Sequence, residues 1–168
     1  MKIVLVGPRG SGKSTIGRQL TTRWNIPLCD LDEWITERSQ KSPNQWIEDG
    51  EEAQFRQWEA ILLKEWLETT REGILATGGG AILHPESKTL LKEFSPVIWL
   101  KNSAETRKSI LEKSPRAKLV PGSLEDEIAW HDQSRSPLYD DVSDETLNTD
   151  QSLEEVIAEL DQLKERYE

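Results

Sequence analysis

The stretch Gly7-Pro-Arg-Gly-Ser-Gly-Lys-Ser-Thr15 follows directly on the apolar run Lys2-Ile-Val-Leu-Val6, and it decides the fold. It fits the phosphate-binding pattern G-x-x-x-x-G-K-[ST], which ends here in Gly12-Lys-Ser14. Its glycines allow backbone angles that are closed to other residues, so successive N–H groups can turn inward around a phosphate. Helically spaced apolar residues behind the loop indicate a helix whose positive N-terminus faces that phosphate. A strand, this loop and a helix in that order predict a nucleotide-binding site.

The predicted ligands of the nucleotide are the loop residues themselves. Lys13 is placed to reach the outer phosphates as a point charge, and the Ser14 hydroxyl is placed to coordinate Mg²⁺. A chance glycine-rich turn is the alternative, and the strand and helix on either side argue against it. We therefore predict that the nucleotide contacts Gly10, Ser11, Gly12, Lys13, Ser14 and Thr15.

Length and composition indicate one soluble domain in a reducing compartment. The 168 residues are enough to bury a sizeable core, and the single cysteine, Cys29, excludes an internal disulfide. No apolar run is long enough to cross a membrane. The formal net charge of −10 would repel nucleic acid, so any anionic ligand needs a local basic pocket. We expect a cytoplasmic monomer that binds small molecules and neither nucleic acid nor membranes.

Two carboxylates follow the next extended run. Ile26-Pro-Leu-Cys-Asp30 leads into Asp30-Leu-Asp32, and carboxylates two residues apart at a strand end point into the ligand crevice of an open α/β sheet. One of them could assist Mg²⁺ and the other could accept a hydroxyl proton. Alternatively, Asp30 and Glu33 form a capping box for a helix over residues 33–38.

The following segments supply a candidate ligand for an anion. Residues 39–50 are predicted as a loop, and apolar residues at helical spacing predict a helix over residues 52–68. Arg56 lies near the start of that helix, where the helix dipole disfavours an exposed cation by roughly 0.3–1 kcal/mol. This placement indicates an anionic partner, and a surface ion pair with Glu52 or Glu59 is the alternative.

Three consecutive glycines mark the end of another buried strand. The strand is predicted over residues 73–77 and continues into Gly78-Gly-Gly80, which allows close backbone approach to a ligand.

The remaining predicted elements are a helix over residues 85–93, a strand over 96–100, a helix over 124–130 and a short strand over 145–149. A closing helix starts near Ser152, with Glu155 as its capping partner.

Together these motifs resemble the shikimate kinase family. The phosphate loop, Asp30-Leu-Asp32, Phe55-Arg56 followed by Glu59, and Thr77-Gly-Gly-Gly80 stand in the family's order and spacing. Arg135-Ser-Pro-Leu-Tyr139 resembles the family's motif of arginine, any residue, proline, any residue and tyrosine. The similarity extends over nearly the whole chain, and only the phosphate loop is shared with many other kinases.

The resemblance implies a three-layer α/β/α P-loop NTPase fold, like that of nucleoside monophosphate kinases, with a five-stranded parallel sheet. It implies a single domain over residues 1–168, with a substrate-binding helical region at about 32–62 and a mobile lid at about 112–124. It further implies an ATP-dependent, Mg²⁺-requiring transferase that phosphorylates the 3-hydroxyl of shikimate, in the shikimate pathway of aromatic amino acid biosynthesis.

The resemblance also implies roles for individual residues. Lys13, Asp32 and Arg116 would be catalytic, with Asp32 receiving the 3-hydroxyl proton and Arg116 closing over the phosphates of ATP. Ser14 and Asp30 would hold the metal. Arg56 and Arg135 would clamp the shikimate carboxylate, because a guanidinium offers a planar, bidentate anchor. The implied substrate-binding residues are Asp32, Arg56, Gly78, Gly79, Gly80 and Arg135.

The chain departs from the family pattern in three places. The lid reads Arg116-Ala-Lys-Leu119 where the family usually has Arg-Pro-Leu-Leu, so the rigid proline is absent and Lys118 is a candidate additional phosphate contact. Gly50-Glu-Glu52 lies one residue farther from the Phe-Arg pair than the family's Gly-Glu pair. The basic residue often found near the adenine is missing around Asp150-Gln151, and Arg107 is the candidate substitute for ATP binding.

Two other functions are compatible with the sequence. A related small-molecule kinase, such as a gluconate kinase, would share the loop and fold but would not be expected to have the set of Asp32, Arg56, Gly79 and Arg135. A shikimate-kinase-like binding protein without turnover is favoured by the altered lid. The retained charged residues around the phosphate loop argue against it, since a binding module has no need for the full catalytic set.

Overall fold

Strands and helices alternate along the chain in the computed structural model, which describes residues 1–114 and 117–168. The strands are β1 (Lys2–Val6), β2 (Leu28–Asp30), β3 (Gly73–Ala76), β4 (Val97–Lys101) and β5 (Glu145–Asn148). The helices are α1 (Lys13–Trp24), α2 (Leu31–Ser39), α3 (Pro43–Glu48), α4 (Glu52–Thr69), α5 (Pro85–Glu93), α6 (Ala104–Glu112), α7 (Leu124–Val142) and α8 (Leu153–Tyr167). A short 3₁₀ turn, Ala81–Leu83, precedes α5.

The strands form one parallel sheet in the order β2-β3-β1-β4-β5. The central strand is β1, in which Leu5 pairs with Ala76 of β3 on one side and with Ile98 of β4 on the other. A central parallel strand is buried on both faces, which explains why β1 is a continuous apolar run. The predicted five-stranded parallel sheet is confirmed, and the carboxyl ends of β1, β2 and β3 lie side by side, where such sheets bind ligands.

Helices cover both faces of the sheet and give it two apolar cores. Val4 and Val6 face one core, which includes side chains of α2, α4 and α7. Ile3 and Leu5 face the other core, which includes side chains of α1 and α8. The alternation along β1 therefore produces the predicted three-layer α/β/α arrangement. Among the described residues, none of the helices has the length and apolar character that a membrane span requires.

The prediction of a loop over residues 39–50 is wrong for residues 43–48, which form α3. Ser42 caps this helix by accepting a hydrogen bond from the Gln45 N–H at 3.3 Å, while the Gln45 side chain accepts from the Ser42 N–H at 2.8 Å. Pro43 occupies the first helical position, where its missing N–H costs nothing. The short helix buries none of its residues, so it leaves no strong periodic pattern in the sequence.

The helix predicted over residues 124–130 is also too short, because α7 continues to Val142 through Pro137. Arg135 therefore lies on this helix, and Tyr139, one turn later, shares its face. The region predicted as a lid lies between the end of α6 at Glu112 and the start of α7 at Leu124. Its described residues, 113–114 and 117–123, are in turns and coil.

Candidate active site

The phosphate loop connects β1 to α1 in a conformation that requires glycine. Gly7 has a φ of 148°, and a Cβ there would lie 2.6 Å from the carbonyl oxygen of Leu100. Gly12 adopts the left-handed conformation at the position that caps α1, with a φ of 95°. The loop N–H groups and the N-terminus of α1 therefore face the same space, which is the arrangement that binds phosphate in nucleotide-binding proteins.

Lys13 starts α1 and is buried beneath the loop. Its ammonium donates hydrogen bonds to the carbonyl oxygens of Gly7 and Pro8 at 2.7 and 2.8 Å. A third contact, at 3.4 Å, joins it to the hydroxyl of Ser11, which lies fully buried inside the loop. These contacts hold the positive charge at the floor of the loop.

Asp30 connects the end of β2 to both the phosphate loop and α2. The Ser14 hydroxyl donates a hydrogen bond to Asp30 Oδ2. Asp30 Oδ1 accepts from the N–H groups of Asp32 and Glu33 at 3.1 and 3.3 Å, so this carboxylate also caps α2. Asp30 therefore fulfils both predictions made from the sequence, because one oxygen lies beside Ser14 as a possible metal ligand and the other caps α2. Ser14 and Asp30 form a pair of hard oxygen donors, and a Mg²⁺ ion takes few such protein ligands because it retains water.

A cleft of about 540 Å³ opens above these groups, and we call it the phosphate cleft. The predicted nucleotide ligands Gly10, Gly12, Lys13, Ser14 and Thr15 line it, together with both aspartates of the Asp30-Leu-Asp32 motif. Asp32 lies in the first turn of α2 rather than on the extended strand assumed from the sequence, because the capping by Asp30 starts the helix at Leu31. The carboxylates of Asp30 and Asp32 nevertheless share this cleft.

A second, smaller pocket adjoins the phosphate cleft and contains the candidate anion ligands. This acceptor pocket is lined by Asp32, Arg56, Glu59, Arg135 and the Gly78-Gly-Gly80 run. Asp32 and Gly79 belong to the walls of both the pocket and the phosphate cleft. The structure therefore brings together two arginines from distant parts of the chain, the triple glycine and the aspartate, next to the phosphate loop.

The triple glycine leaves room for the charged side chains of the acceptor pocket. A Cβ at Gly80 would overlap the guanidinium of Arg56, and a Cβ at Gly78 would overlap the Glu59 carboxylate. At Gly79 a Cβ would lie 3.2 Å from the backbone nitrogen of Arg9 in the phosphate loop. These close approaches explain the absence of side chains over residues 78–80.

The two arginines of the pocket are buried to 92% and 98%, yet they are held in different ways. Arg56 pairs with Glu59 at 2.8 Å and with Glu52 at 3.0 Å. Burial opposes its charge, but the two carboxylates outweigh this and raise the pKa of Arg56. For Arg135, burial and the positive charge of Arg56 lower the pKa. Both ion pairs of the alternative therefore exist, but Arg56 and Glu59 are buried and only the Glu52 carboxylate is exposed.

Glu59 is a fully buried carboxylate between the two arginines and Asp32. Burial is the main cause that raises its pKa to about 7, and the negative charge of Asp32 adds to the effect against the opposing charge of Arg56. Within residues 1–114 and 117–168, Glu59 Oε1 and the Nε atoms of Arg56 and Arg135 have no hydrogen-bond partner. Buried polar atoms are normally paired, so this cluster has hydrogen-bonding capacity for a small polar ligand.

Tyr139 fixes the triple-glycine run to α7. Its hydroxyl donates a hydrogen bond to the carbonyl oxygen of Gly79, and burial raises its pKa to about 12, so the hydroxyl keeps its proton. The sequence shows Tyr139 only as part of a motif, without a role. Its spacing of four residues from Arg135 was the available signal, because residues four apart lie on one helix face.

Of the described residues, the predicted ATP ligands Ser11 and Arg107 and the predicted lid residue Lys118 do not line the phosphate cleft. Arg107 is buried and pairs with Asp132 at 2.7 Å, beside a separate cavity of about 230 Å³ that we call the side cavity. Lys118 also lines the side cavity, and its ammonium donates to the Gly122 carbonyl oxygen at 3.0 Å. Arg116 lies outside the described residues.

Residues 9–164 match the family model described as shikimate kinase. The shikimate kinase of Enterococcus faecalis is 38% identical over 167 residues, which covers 97% of this chain and 98% of the relative. The solved structure of a shikimate kinase from Acinetobacter baumannii in complex with shikimate covers 99% of this chain and 94% of its own, with a TM-score of 0.87 and 29% identity. A deoxyadenosine kinase from M. mycoides shares the fold, with a TM-score of 0.59 at 16% identity.

Proposed function

This chain belongs to the shikimate kinase family, and we propose that it transfers the γ-phosphoryl group of ATP to the 3-hydroxyl of shikimate, giving shikimate 3-phosphate and ADP. The observation that carries this proposal is the acceptor pocket. It combines Arg56, Arg135 and Asp32, and it shares Asp32 and Gly79 with the wall of the phosphate cleft. A relative solved with shikimate bound supports the same acceptor.

Donor binding is assigned to the phosphate loop. Its N–H groups and the N-terminus of α1 cradle the β- and γ-phosphates, and Lys13 moves from the loop carbonyls onto phosphate oxygens. Ser14 and Asp30 are the residues that would hold Mg²⁺, which when bound neutralises charge on the phosphates. Phosphoryl transfer depends mainly on alignment and charge neutralisation, and this set of residues supplies both.

Acceptor binding is assigned to the two arginines and the triple glycine. The pocket alone holds only about 20 Å³, so the carboxylate of the acceptor enters it while the ring lies in the part shared with the phosphate cleft. The orphaned Nε atoms of Arg56 and Arg135 gain a partner in that carboxylate. Asp32, on the shared wall, then contacts the hydroxyls at the opposite end of the ring.

The transfer step places Asp32 at the reacting hydroxyl. The acceptor oxygen forms a bond to the γ-phosphorus as the bond to the β–γ bridging oxygen breaks, and the hydroxyl proton passes to the Asp32 carboxylate. ADP leaves with the negative charge of the bridging oxygen.

We further propose that the chain acts as a single-domain monomer in the cytoplasm, with no nucleic-acid or membrane partner. We also propose that residues 112–124 form its lid and supply Arg116.

A coupled assay of ADP release tests this function. Wild-type protein is given Mg²⁺-ATP with shikimate, with gluconate, or with no acceptor, and we expect release that depends on shikimate alone. Asp32→Asn is the matched variant, because it keeps the size of the side chain but removes the proton acceptor. We expect it to bind ATP normally and to lose most turnover. No acceptor-dependent release from folded wild-type protein would overturn the proposal and favour a binding protein.

A further inference from the structure

The segment between α6 and α7 borders three cavities at once. Ser114 lines the phosphate cleft and the side cavity, Lys118 lines the side cavity, and Leu119 lines the acceptor pocket. Arg9 of the phosphate loop contributes to the walls of all three cavities. This segment therefore borders the junction at which donor and acceptor would meet.

Ala117 is the residue of this segment that is held from two sides. Its N–H donates a hydrogen bond to Asn44 Oδ1 at 3.1 Å, and its carbonyl oxygen accepts one from Arg9 Nη1 at 3.1 Å. Ala117 is half-buried, whereas Ser114 and Lys118 are exposed. Both backbone groups of one residue are thus satisfied by side chains from two other elements, and we call this pair of hydrogen bonds the Ala117 clasp.

The two side chains of the clasp come from the two halves of the candidate site. Arg9 belongs to the phosphate loop, and Asn44 lies in the first turn of α3 and lines both the phosphate cleft and the acceptor pocket. The Ser42 cap and Pro43 fix the start of α3, so the side chain of Asn44 projects from a rigid position. The clasp therefore links donor side, acceptor side and lid through one residue.

We propose that Arg9 and Asn44 are positioning residues that, through Ala117, hold the segment from Ala117 to Leu119 beside the junction of the phosphate cleft and the acceptor pocket. The inference rests on the proposed kinase function and extends it to residues that have no part in the chemistry itself. Their effect is to keep water away from the phosphoryl group while it is transferred, since water would compete with the acceptor hydroxyl. The clasp is complete only when the phosphate loop and α3 are both in place.

The clasp depends on the residue type at position 117. Proline has no backbone N–H, so a proline there could not donate to Asn44. Serine at the same position keeps the N–H and is close to alanine in size. Ala117→Pro and Ala117→Ser therefore form a matched pair, in which only the first removes the hydrogen bond.

Amide exchange tests the clasp without reference to turnover. In ¹⁵N-labelled protein with ATP and Mg²⁺, we expect Asn44→Ala to speed exchange of the Ala117 amide about three- to tenfold, the range expected for loss of one hydrogen bond. Asn44→Asp keeps an acceptor oxygen and should retain most of the protection. Equal exchange rates at Ala117 in wild type and Asn44→Ala would overturn the proposal.

Turnover gives the second readout, as the ratio of acceptor-independent to shikimate-dependent ADP release. We expect Asn44→Ala and Ala117→Pro each to raise this ratio about three- to tenfold, and Ala117→Ser to leave it at the wild-type value. The double variant should be no worse than either single variant, because both remove the same hydrogen bond. Additive effects of the two substitutions, or an unchanged ratio, would contradict the proposed role of the clasp.

Absence of shikimate-dependent release in wild type would instead refute the kinase function. Amide exchange would then still show whether the hydrogen bond between Ala117 and Asn44 forms.

Discussion

Individual side chains in the acceptor pocket differ in what holds them, and this difference leads to separate predictions. Arg56 is fixed by two carboxylates, whereas Arg135 is fixed by burial in α7 next to Tyr139. Removing Arg56 would leave Glu59 as a buried carboxylate without its partner, which costs stability as well as binding. Arg135→Ala is therefore the cleaner test of the carboxylate clamp.

We predict that Arg135→Ala weakens shikimate binding about ten- to hundredfold, because a bond between a guanidinium and a carboxylate contributes about 1.5–3 kcal/mol. ATP affinity should change by less than about twofold, since Arg135 does not line the phosphate cleft. Isothermal titration of each ligand measures both effects. Arg135→Lys keeps the charge but not the bidentate geometry, and it should give an intermediate loss. Similar losses for ATP and shikimate would show that the clamp is misassigned.

Glu59 gives a prediction about pH. Burial raises its pKa to about 7, above the ordinary value of 4.5. Between pH 4.5 and pH 7 the carboxyl group is therefore protonated in the folded protein but ionised in the unfolded chain. This contribution to stability is fully present below pH 4.5 and is lost as the pH rises through 7. The free energy of unfolding of wild type minus that of Glu59→Gln should therefore fall by roughly 2–3 kcal/mol between pH 4.5 and 8.

Urea denaturation of wild type and Glu59→Gln across this pH range measures the difference. The substitution also changes the ion pair with Arg56, which shifts the offset between the two curves but adds no proton that titrates here. The slope with pH is therefore the informative quantity. Parallel curves would mean that Glu59 stays ionised throughout, held by Arg56 despite its burial.

At the scale of elements, α3 shows how a short helix can carry a functional position without a core of its own. Its residues are exposed or half-buried, so its stability depends on its ends rather than on packing. The capping box of Ser42 and Gln45 satisfies N–H groups at the start of the helix, in the turn that contains Asn44. The cap thereby contributes to the position of Asn44 beside the acceptor pocket.

We predict that Ser42→Ala destabilises α3 by about 1 kcal/mol, the usual effect of losing an N-terminal cap. The change should appear as faster amide exchange within Pro43–Glu48, with little effect on the unfolding of the sheet. Ser42→Asp restores an acceptor for the Gln45 N–H and should return exchange towards the wild-type rate. Equal exchange in Ser42→Ala and wild type would indicate that contacts with α2 and α4, rather than the cap, hold the helix.

At the scale of the whole molecule, stability comes from two cores that share the central strand. Leu5 of β1 is completely buried in the core beneath α1 and α8, together with Leu20 and Leu160. The phosphate loop begins directly after this strand, so the same residues that stabilise the sheet also hold the loop. A loss of packing here should reduce stability while leaving the site intact in those molecules that remain folded.

We predict that Leu5→Ala lowers the free energy of unfolding by about 2–5 kcal/mol, the range for a leucine truncated in a packed core. Leu153→Ala is the matched control, because Leu153 is 42% exposed on α8 and the same truncation should change stability by less than about 0.5 kcal/mol. Urea denaturation followed by tryptophan fluorescence measures both variants. Equal effects would contradict the assigned burial of Leu5.

Local patterns were enough to predict the individual strands, the phosphate loop and most helices, because each depends on residues close together in the chain, whereas the five-stranded parallel sheet followed from the family resemblance. The apolar runs of β1, β3 and β4, the glycines of the loop and the cap at Ser152 all occur where the sequence indicates them. The same patterns missed α3, which has no buried face, and α6, and they ended α7 too early.

Only the tertiary structure decided how the site is assembled, since its parts come from elements that are distant in the chain. The meeting of Arg56 with Arg135, the raised pKa of Glu59 and the hydrogen bond from Tyr139 to Gly79 depend on how α4 and α7 pack beside β3. The contacts of Ala117 with Arg9 and Asn44 depend on three separate loops and helix ends. Sequence patterns report the environment along one segment, whereas burial, charge pairing and pocket shape are set by the segments that surround it.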